Sequence, residues 1–237
     1  MGDAIFKQKS GILGVGIAAP CGIITPEQLI GLGTLSKKVK SLGSKLTTRQ
    51  TIIFLIKEEK LKDFQAGVQE LGLRIGSFGE VIRNVKSCAG GEQFCLRSLT
   101  DVFKLATELQ EIYMDQKVPH DFKISVAGCQ RGCTDPLCAD YGIIATGPDT
   151  YSIYLGGRGG SRQPEHGTLL CSEVNVQGVK AVLDFVLDKY RSLGQPKERI
   201  CKTIGRIGIE QFTPDNEFLN KYQPEDSDND FLQFLGR

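Results

Sequence analysis

The sequence lacks three features, any one of which would have placed it in a class at once. It has almost no net charge, because 29 basic and 28 acidic residues nearly cancel. The total therefore calls for neither nucleic acid nor an anionic membrane as a partner. It has no apolar run long enough to span a bilayer. The first run, Gly11 to Ile24, contains fourteen residues, short of the roughly 20 that a transmembrane helix needs. It follows Lys7 and Lys9 and ends near Cys21, as a signal segment would, but Pro20 is wrong for a small-residue cleavage site and the run continues into a helix cap. A cytoplasmic protein without membrane contact is expected. The third absence is a nicotinamide or flavin fingerprint.

Cysteine is what the sequence does have. Eight cysteines in 237 residues are many for a cytosolic chain of this size and too few for a disulfide scaffold. Four lie in two pairs, Cys88 with Cys95 in SCAGGEQFC and Cys129 with Cys133 in GCQRGC. Cytosolic thiols at such short spacings read as metal ligands, and four thiolates can hold a [4Fe–4S] cluster. Zinc is the competing metal. The Cys129–Cys133 spacing suits it, but the longer gap in the first pair is too wide for a tight zinc knuckle. A zinc-stabilised interaction protein and unliganded thiols stay open as readings. Cys138 is either an alternative ligand or a small buried hydrophobe, and Cys21, Cys171 and Cys201, with no local partner, are expected in the core.

Taken in order, GILGVGIAA (11–19) reads as a strand covered on both faces. A turn follows at Pro20–Gly22. Thr25-Pro26-Glu27-Gln28 supplies an N-cap, a proline at the first helical position and a capping-box Gln, predicting a helix to about Leu42. The β-branched stretch 45–56 reads as one strand, and 58–71 as a helix closed by Gly72. Beyond the first cysteine pair, Leu99, Val102, Phe103, Leu105, Ala106, Leu109, Ile112 and Tyr113 recur at helical spacing, predicting a helix from Leu96 to about Gln116. FKISVA (122–127) then forms a strand leading into the second pair. Strands at 141–146 and 151–157, a glycine-rich loop at 156–163 and a helix at 175–193 follow. The result is an α/β (α+β) protein with three expected segments: 1–78, 79–212, and an acidic tail, 213–237, mobile or docked on a partner.

The ordered motifs resemble the sirohaem and [4Fe–4S] nitrite and sulfite reductase family, in its small, single-copy form. The resemblance rests on PCGIITPEQL (20–29), LTTRQ (46–50), Arg83-Asn84-Val85, the two cysteine pairs, the strand Phe-Lys-Ile-Ser-Val before Gly-Cys-x-x-x-Cys, Asp140-x-Gly142-Ile143, and LGGRGG (155–160). It covers nearly the whole chain. It implies a ferredoxin-like N-terminal half followed by an α/β half that binds sirohaem and the cluster. Cys88, Cys95, Cys129 and Cys133 would be the cluster ligands, with Cys133 shared with the sirohaem iron. Sirohaem carries eight carboxylates, so its site must offer many donors. Arg49, Arg83, Arg131, Arg158 and Arg162, with the backbone N–H groups of Gly156, Gly157, Gly159 and Gly160, are the expected set.

Departures from the family pattern bear on function. Where the family has arginine before the Pro-Gly-Gly turn, this chain has Gly16, Ala18 and Ala19, and where it tends to have Lys-x-Lys it has Asp121-Phe122-Lys123. Arg83 and Lys123 remain as the expected catalytic pair. The family resemblance implies six-electron reduction of sulfite or nitrite, fed by a separate ferredoxin-like or flavoprotein donor, in a homodimer or a heteromeric assembly. The lost basic residues support an alternative: a sirohaem protein with a degenerate pocket that acts in electron transfer, tetrapyrrole handling or redox sensing. His120, before the pocket strand, is a candidate proton donor, although a loop histidine there is more often structural.

Overall fold

The protein is described by a computed structural model covering residues 2–91 and 94–224. It contains two sheets, each with its own apolar core. The first sheet is antiparallel, ordered β1 (Ile5–Lys7), β2 (Ile12–Ala18), β4 (Thr51–Lys57) and β3 (Gly43–Leu46), with β5 (Arg74–Ile75) also on β2. On one face α1 (Pro26–Lys38) and α2 (Leu61–Glu70) close over Leu13, Val15, Ile17, Phe54 and Ile56. The alternation along β2 puts these branched side chains toward the helices, while Gly14 and Gly16 face the other way. The capping box at α1 forms as expected, Thr25 Oγ1 accepting from the Gln28 N–H and Gln28 Oε1 from the Thr25 N–H.

The second sheet is mixed, ordered β10 (Thr168–Val174), β9 (Thr150–Leu155), β8 (Tyr141–Gly147), β7 (Ile124–Ala127) and β6 (Lys86–Ser87). Strands β6, β7 and β8 are parallel, and the other pairings are antiparallel. Helices α3 (Val102–Tyr113) and α4 (Val176–Leu193) bury one of its faces. Phe122, Ile124 and Val126 point into that core, and by the two-residue period Lys123 and Ser125 point away from it. Helix α5 (Ile200–Ile207) and the short α6 (Asn216–Asn220) complete the fold. Among the described residues no helix is long and apolar enough to cross a membrane.

Several elements differ from their sequence expectation. Residues 45–56 are a hairpin rather than one strand, because Thr47 to Gln50 form a tight turn and Gln50 takes a left-handed φ of 59°. Arg49 therefore sits on a turn, not on a strand. Helix α1 stops at Lys38 because the chain turns at Lys40, φ 53°, into the β3 edge. Helix α3 starts only at Val102, where the Asp101 side chain caps the Phe103 N–H at 2.9 Å. The segment from 213 is folded as far as it is described: Phe218 and Leu219 pack on the second core and the Tyr222 carbonyl accepts the Asn175 N–H at 2.8 Å. Residues 225–237, which carry most of the expected acidic tail, lie outside the described residues.

Candidate functional site

The face of the second sheet opposite its helices borders a cavity of about 430 Å³. Lys86 and Ser125 enter it from β6 and β7, and Lys123 from just before β7; Asp135, Cys138 and Ala139 come from the loop between β7 and β8; Arg158, Gly159 and Gly160 come from the glycine loop; and Arg199 precedes α5. The first half closes the remaining side with Thr48 and Arg49 from the β3–β4 turn. That turn is fastened to the second half by the side chains of Arg49 and Gln50 and by the Arg49 carbonyl. Arg49 Nη2 donates to the Asn84 carbonyl at 2.6 Å, Asn84 Nδ2 donates back to the Arg49 carbonyl at 2.8 Å, and the Gln50 amide exchanges hydrogen bonds with the Ser87 backbone.

Among the described residues five cations, Arg49, Lys86, Lys123, Arg158 and Arg199, thus line one cavity against a single lining carboxylate, Asp135. Burial, reinforced by the nearby Arg83, lowers the Arg49 guanidinium to about 10. Burial likewise lowers Lys86, whose ammonium lies 3.5 Å from Asp135. The buried Nε–H groups of Arg49 and Arg158 have no hydrogen-bond partner among the described residues. A buried donor left unpaired is costly. Two of them in residues that line a cationic cavity fit a bound polyanion, and carboxylate groups match guanidinium geometry.

Behind the cavity wall two carboxylates hold the cations in place. Asp140, wholly buried, accepts Arg199 Nη2 at 2.8 and 2.6 Å on its two oxygens and the Lys123 N–H at 2.9 Å. Burial raises Asp140, against the downward pull of Arg199. Asp121 faces Arg83 at 2.9 Å, Lys123 at 2.7 Å and Arg199 at 3.4 Å. Burial pushes its carboxyl up, but Lys123 and Arg83 outweigh that and hold it at about 2. Lys123 is lowered by burial despite Asp121.

The cysteines follow from the sheet register. Strands β6 and β7 are parallel neighbours with Ser87 opposite Val126, so Cys88 and Cys129 leave the sheet at the same carboxyl-terminal edge, where α/β sheets commonly hold ligands. The Gly128 N–H donates to Cys88 Sγ at 3.2 Å. Burial raises the Cys88 thiol, and Cys133 and Cys129 push the same way, placing these thiols within electrostatic reach of each other. Gly128 and Gly90 leave no room for side chains: a Cβ on Gly128 would stand 2.0 Å from Ser98 Oγ, and one on Gly90 2.9 Å from Cys88 Sγ. Cys95 lies on the turn after Gly91, and Cys133 is exposed. Among the described residues no three Cys, His, Asp or Glu side chains stand close enough to hold one metal ion. The fold brings Cys88 and Cys129 to one edge without closing the four thiols into a finished ligand set among the described residues, and their type suits an iron–sulfur cluster.

Of the residues expected at the cofactor, Arg49, Arg158, Gly159 and Gly160 line the cavity, and of the expected catalytic pair Lys123 does. Arg83 does not; it is turned to Asp121 and lies 5.0 Å from the centre of the Phe78 ring. Arg131 and Arg162 are exposed on loops and do not line it. Gly156 and Gly157 are buried against the chain itself, a Cβ on Gly157 meeting the Leu137 carbonyl at 2.2 Å, so they shape the loop rather than the cavity. His120 lies off the cavity and accepts from Tyr190 through its carbonyl. Sequence reasoning missed Lys86, two residues before Cys88, and Arg199. An apolar 3.6-residue pattern beginning at Ile200 was the available signal for α5, and hence for a residue at its start.

This combination of a ferredoxin-like half, a mixed α/β half, a cationic cavity between them and cysteines at one sheet edge defines a cofactor-holding redox class. The chain belongs to the nitrite and sulfite reductase family: its residues 78–217 match the nitrite and sulphite reductase 4Fe-4S domain and residues 6–71 the nitrite/sulfite reductase ferredoxin-like half domain. It is 34% identical over 207 residues to the nitrite reductase [NAD(P)H] of Emericella nidulans, covering 86% of this chain but only 18% of that protein. An assimilatory-type sulfite reductase of Nitratidesulfovibrio vulgaris is 24% identical, over 81% of this chain and 86% of its own length. In fold the chain is similar to the crystal structure of dissimilatory sulfite reductase I, with a TM-score of 0.75 and 14% identity over 91% of this chain and 72% of that one.

Proposed function

We propose that the chain holds a [4Fe–4S] cluster on Cys88, Cys95, Cys129 and Cys133, and a sirohaem in the cationic cavity, and reduces a small oxyanion, sulfite or nitrite, by six electrons. The carrying observation is the cavity itself, with five lining cations and two buried, unpartnered guanidinium Nε–H groups. When bound, the two cofactors supply electron transfer and an iron at which the oxyanion binds. Arg49, Arg158 and Lys86 neutralise cofactor carboxylates; the N–H groups of Gly159 and Gly160 add neutral donors. Lys123, which lines the cavity, would offer its ammonium to the oxyanion and serve as a proton source. Electrons come from a separate ferredoxin-like or flavoprotein donor, and the working assembly is a homodimer or a heteromeric complex.

A second reading is favoured by one contact. Asp121 pairs with both Arg83 and Lys123, which suits a sirohaem protein whose substrate pocket has degenerated and which serves electron transfer, tetrapyrrole handling or redox sensing. The test is the visible spectrum of protein purified without oxygen, with iron and sulfide assays, before and after sulfite or nitrite is added to the reduced protein. Isobacteriochlorin bands that move with either anion are expected for the reductase. Bands indifferent to both would select the second reading, and iron–sulfur absorption without tetrapyrrole, or zinc alone, would overturn both.

A further inference from the structure

Asp121 stands where three cations converge. Its Oδ1 accepts from Arg83 Nη1 at 2.9 Å, and its Oδ2 faces Lys123 Nζ at 2.7 Å and Arg199 Nη1 at 3.4 Å. All four side chains are largely buried, so these are not solvent-screened surface pairs. Lys123 and Arg199 line the cavity, whereas Arg83 and Asp121 stand behind its wall. Asp140 takes the remaining Nη2 and Nε donors of Arg199. The cluster of Arg83, Lys123 and Arg199 is therefore opposed by two fixed carboxylates, which leaves it one net positive charge.

We infer that Asp121 is a specificity-determining residue, an internal anion that offsets Arg83, Lys123 and Arg199 and so weakens the binding of dianions more than that of monoanions. Only in taking the ligand to be an oxyanion does this rest on the proposed function. The argument is electrostatic. The energy between a fixed charge and a ligand is proportional to the ligand's charge, so one internal carboxylate costs a dianion twice what it costs a monoanion. Expressed as fold-changes in affinity, the effect on the dianion is the square of the effect on the monoanion. Removing Asp121 leaves both arginines anchored, Arg83 against the Phe78 ring, 5.0 Å from its centre, and Arg199 on Asp140, while the Lys123 ammonium is freed toward the cavity it lines.

The test is isothermal titration calorimetry on the full chain purified without oxygen, at pH 7.5, with nitrate as monoanion and sulfate as dianion. Asp121→Asn has nearly the same shape and removes the charge. If it tightens nitrate by about 3-fold to 10-fold, sulfate should tighten by the square, about 10-fold to 100-fold. Adding Lys123→Gln to the same chain should cancel most of both gains. Unchanged affinities, or equal factors for the two anions, would overturn the inference, since a loosened structure has no reason to count ligand charge. If Asp121→Asn does not accumulate as folded protein, Asp121→Ser removes the same charge and must give the same relation. Tetrapyrrole and iron assays on the same samples keep the two questions apart: their failure counts against the reductase reading and leaves the ratio of fold-changes to be judged alone.

Discussion

The two halves bury very different chemistry. In the ferredoxin-like half the core is apolar throughout, from Leu13 to Leu73, under one antiparallel sheet. Among the described residues, nine of the eleven buried polar or charged side chains belong to the other half; Thr51 and Ser77 are the two exceptions. Both buried carboxylates, Asp121 and Asp140, are in the second half. Interiors tolerate such groups only when they are paired, and pairing them seldom gains stability over apolar packing. The first half is thus a scaffold whose contribution to the cavity is one turn carrying Thr48 and Arg49. The second half is the part whose interior has been given over to holding charge in place.

Breaking the most buried pair should produce the largest effect. Asp140→Ala strips Arg199 of its Nη2 and Nε contacts, leaving it only Asp121 at 3.4 Å, and frees the Lys123 amide; it is expected to cost about 3 kcal/mol or more in urea denaturation, as breaking a buried pair does. An apolar deletion in the scaffold sharpens the contrast: Leu13→Ala, at a site 2% exposed, should cost about 3 kcal/mol while leaving tetrapyrrole content per folded chain unchanged. Acid titration separates the halves without mutation. Because the folded carboxyl of Asp121 is held at about 2, below its ordinary 3.8, its contribution of about 2 kcal/mol is full above pH 4 and lost as pH falls toward 2. Asp121→Asn should remove that part of the slope in a pH series of denaturation midpoints. The smallest effect falls on the fastening between the halves. Gln50→Ala gives up the exchange with the Ser87 backbone, about 1–2 kcal/mol, and should raise hydrogen exchange at the β3–β4 turn before anywhere else.

What was legible in the sequence follows the same division. The scaffold's periodicities are local, and β2, the capped start of α1 and the Gly72 end of α2 could be read from short windows. The hairpin could not. Its turn, Thr47 to Gln50, contains no glycine, proline or asparagine, and Gln50 accepts a left-handed φ because both ends of its amide are bound to Ser87. In the second half the cysteine motifs and the glycine loop were plain, but the identity of the cavity cations was only partly so. Arg131 and Arg162 lie beside the motifs in sequence yet are exposed, because adjacency on a loop says little about direction. Arg199 belongs to the site through Asp140, 59 residues away in the chain, a tertiary pairing that no local pattern carries. Arg83 was legible as a basic residue near the pocket, and not as one already committed to Asp121.

The cationic cavity closed by Arg49 and Arg158 is the proposed seat of a polycarboxylate cofactor, apart from the thiol edge. The most direct measurement is tetrapyrrole, iron and sulfide content per chain, taken side by side for the unaltered protein and for the double variant Arg49→Ala with Arg158→Ala, both purified without oxygen. The account predicts a tetrapyrrole in the first, lost from the second, with the cluster iron and sulfide retained in both. A double variant that keeps its full tetrapyrrole, or an unaltered chain that never contains one, would contradict it.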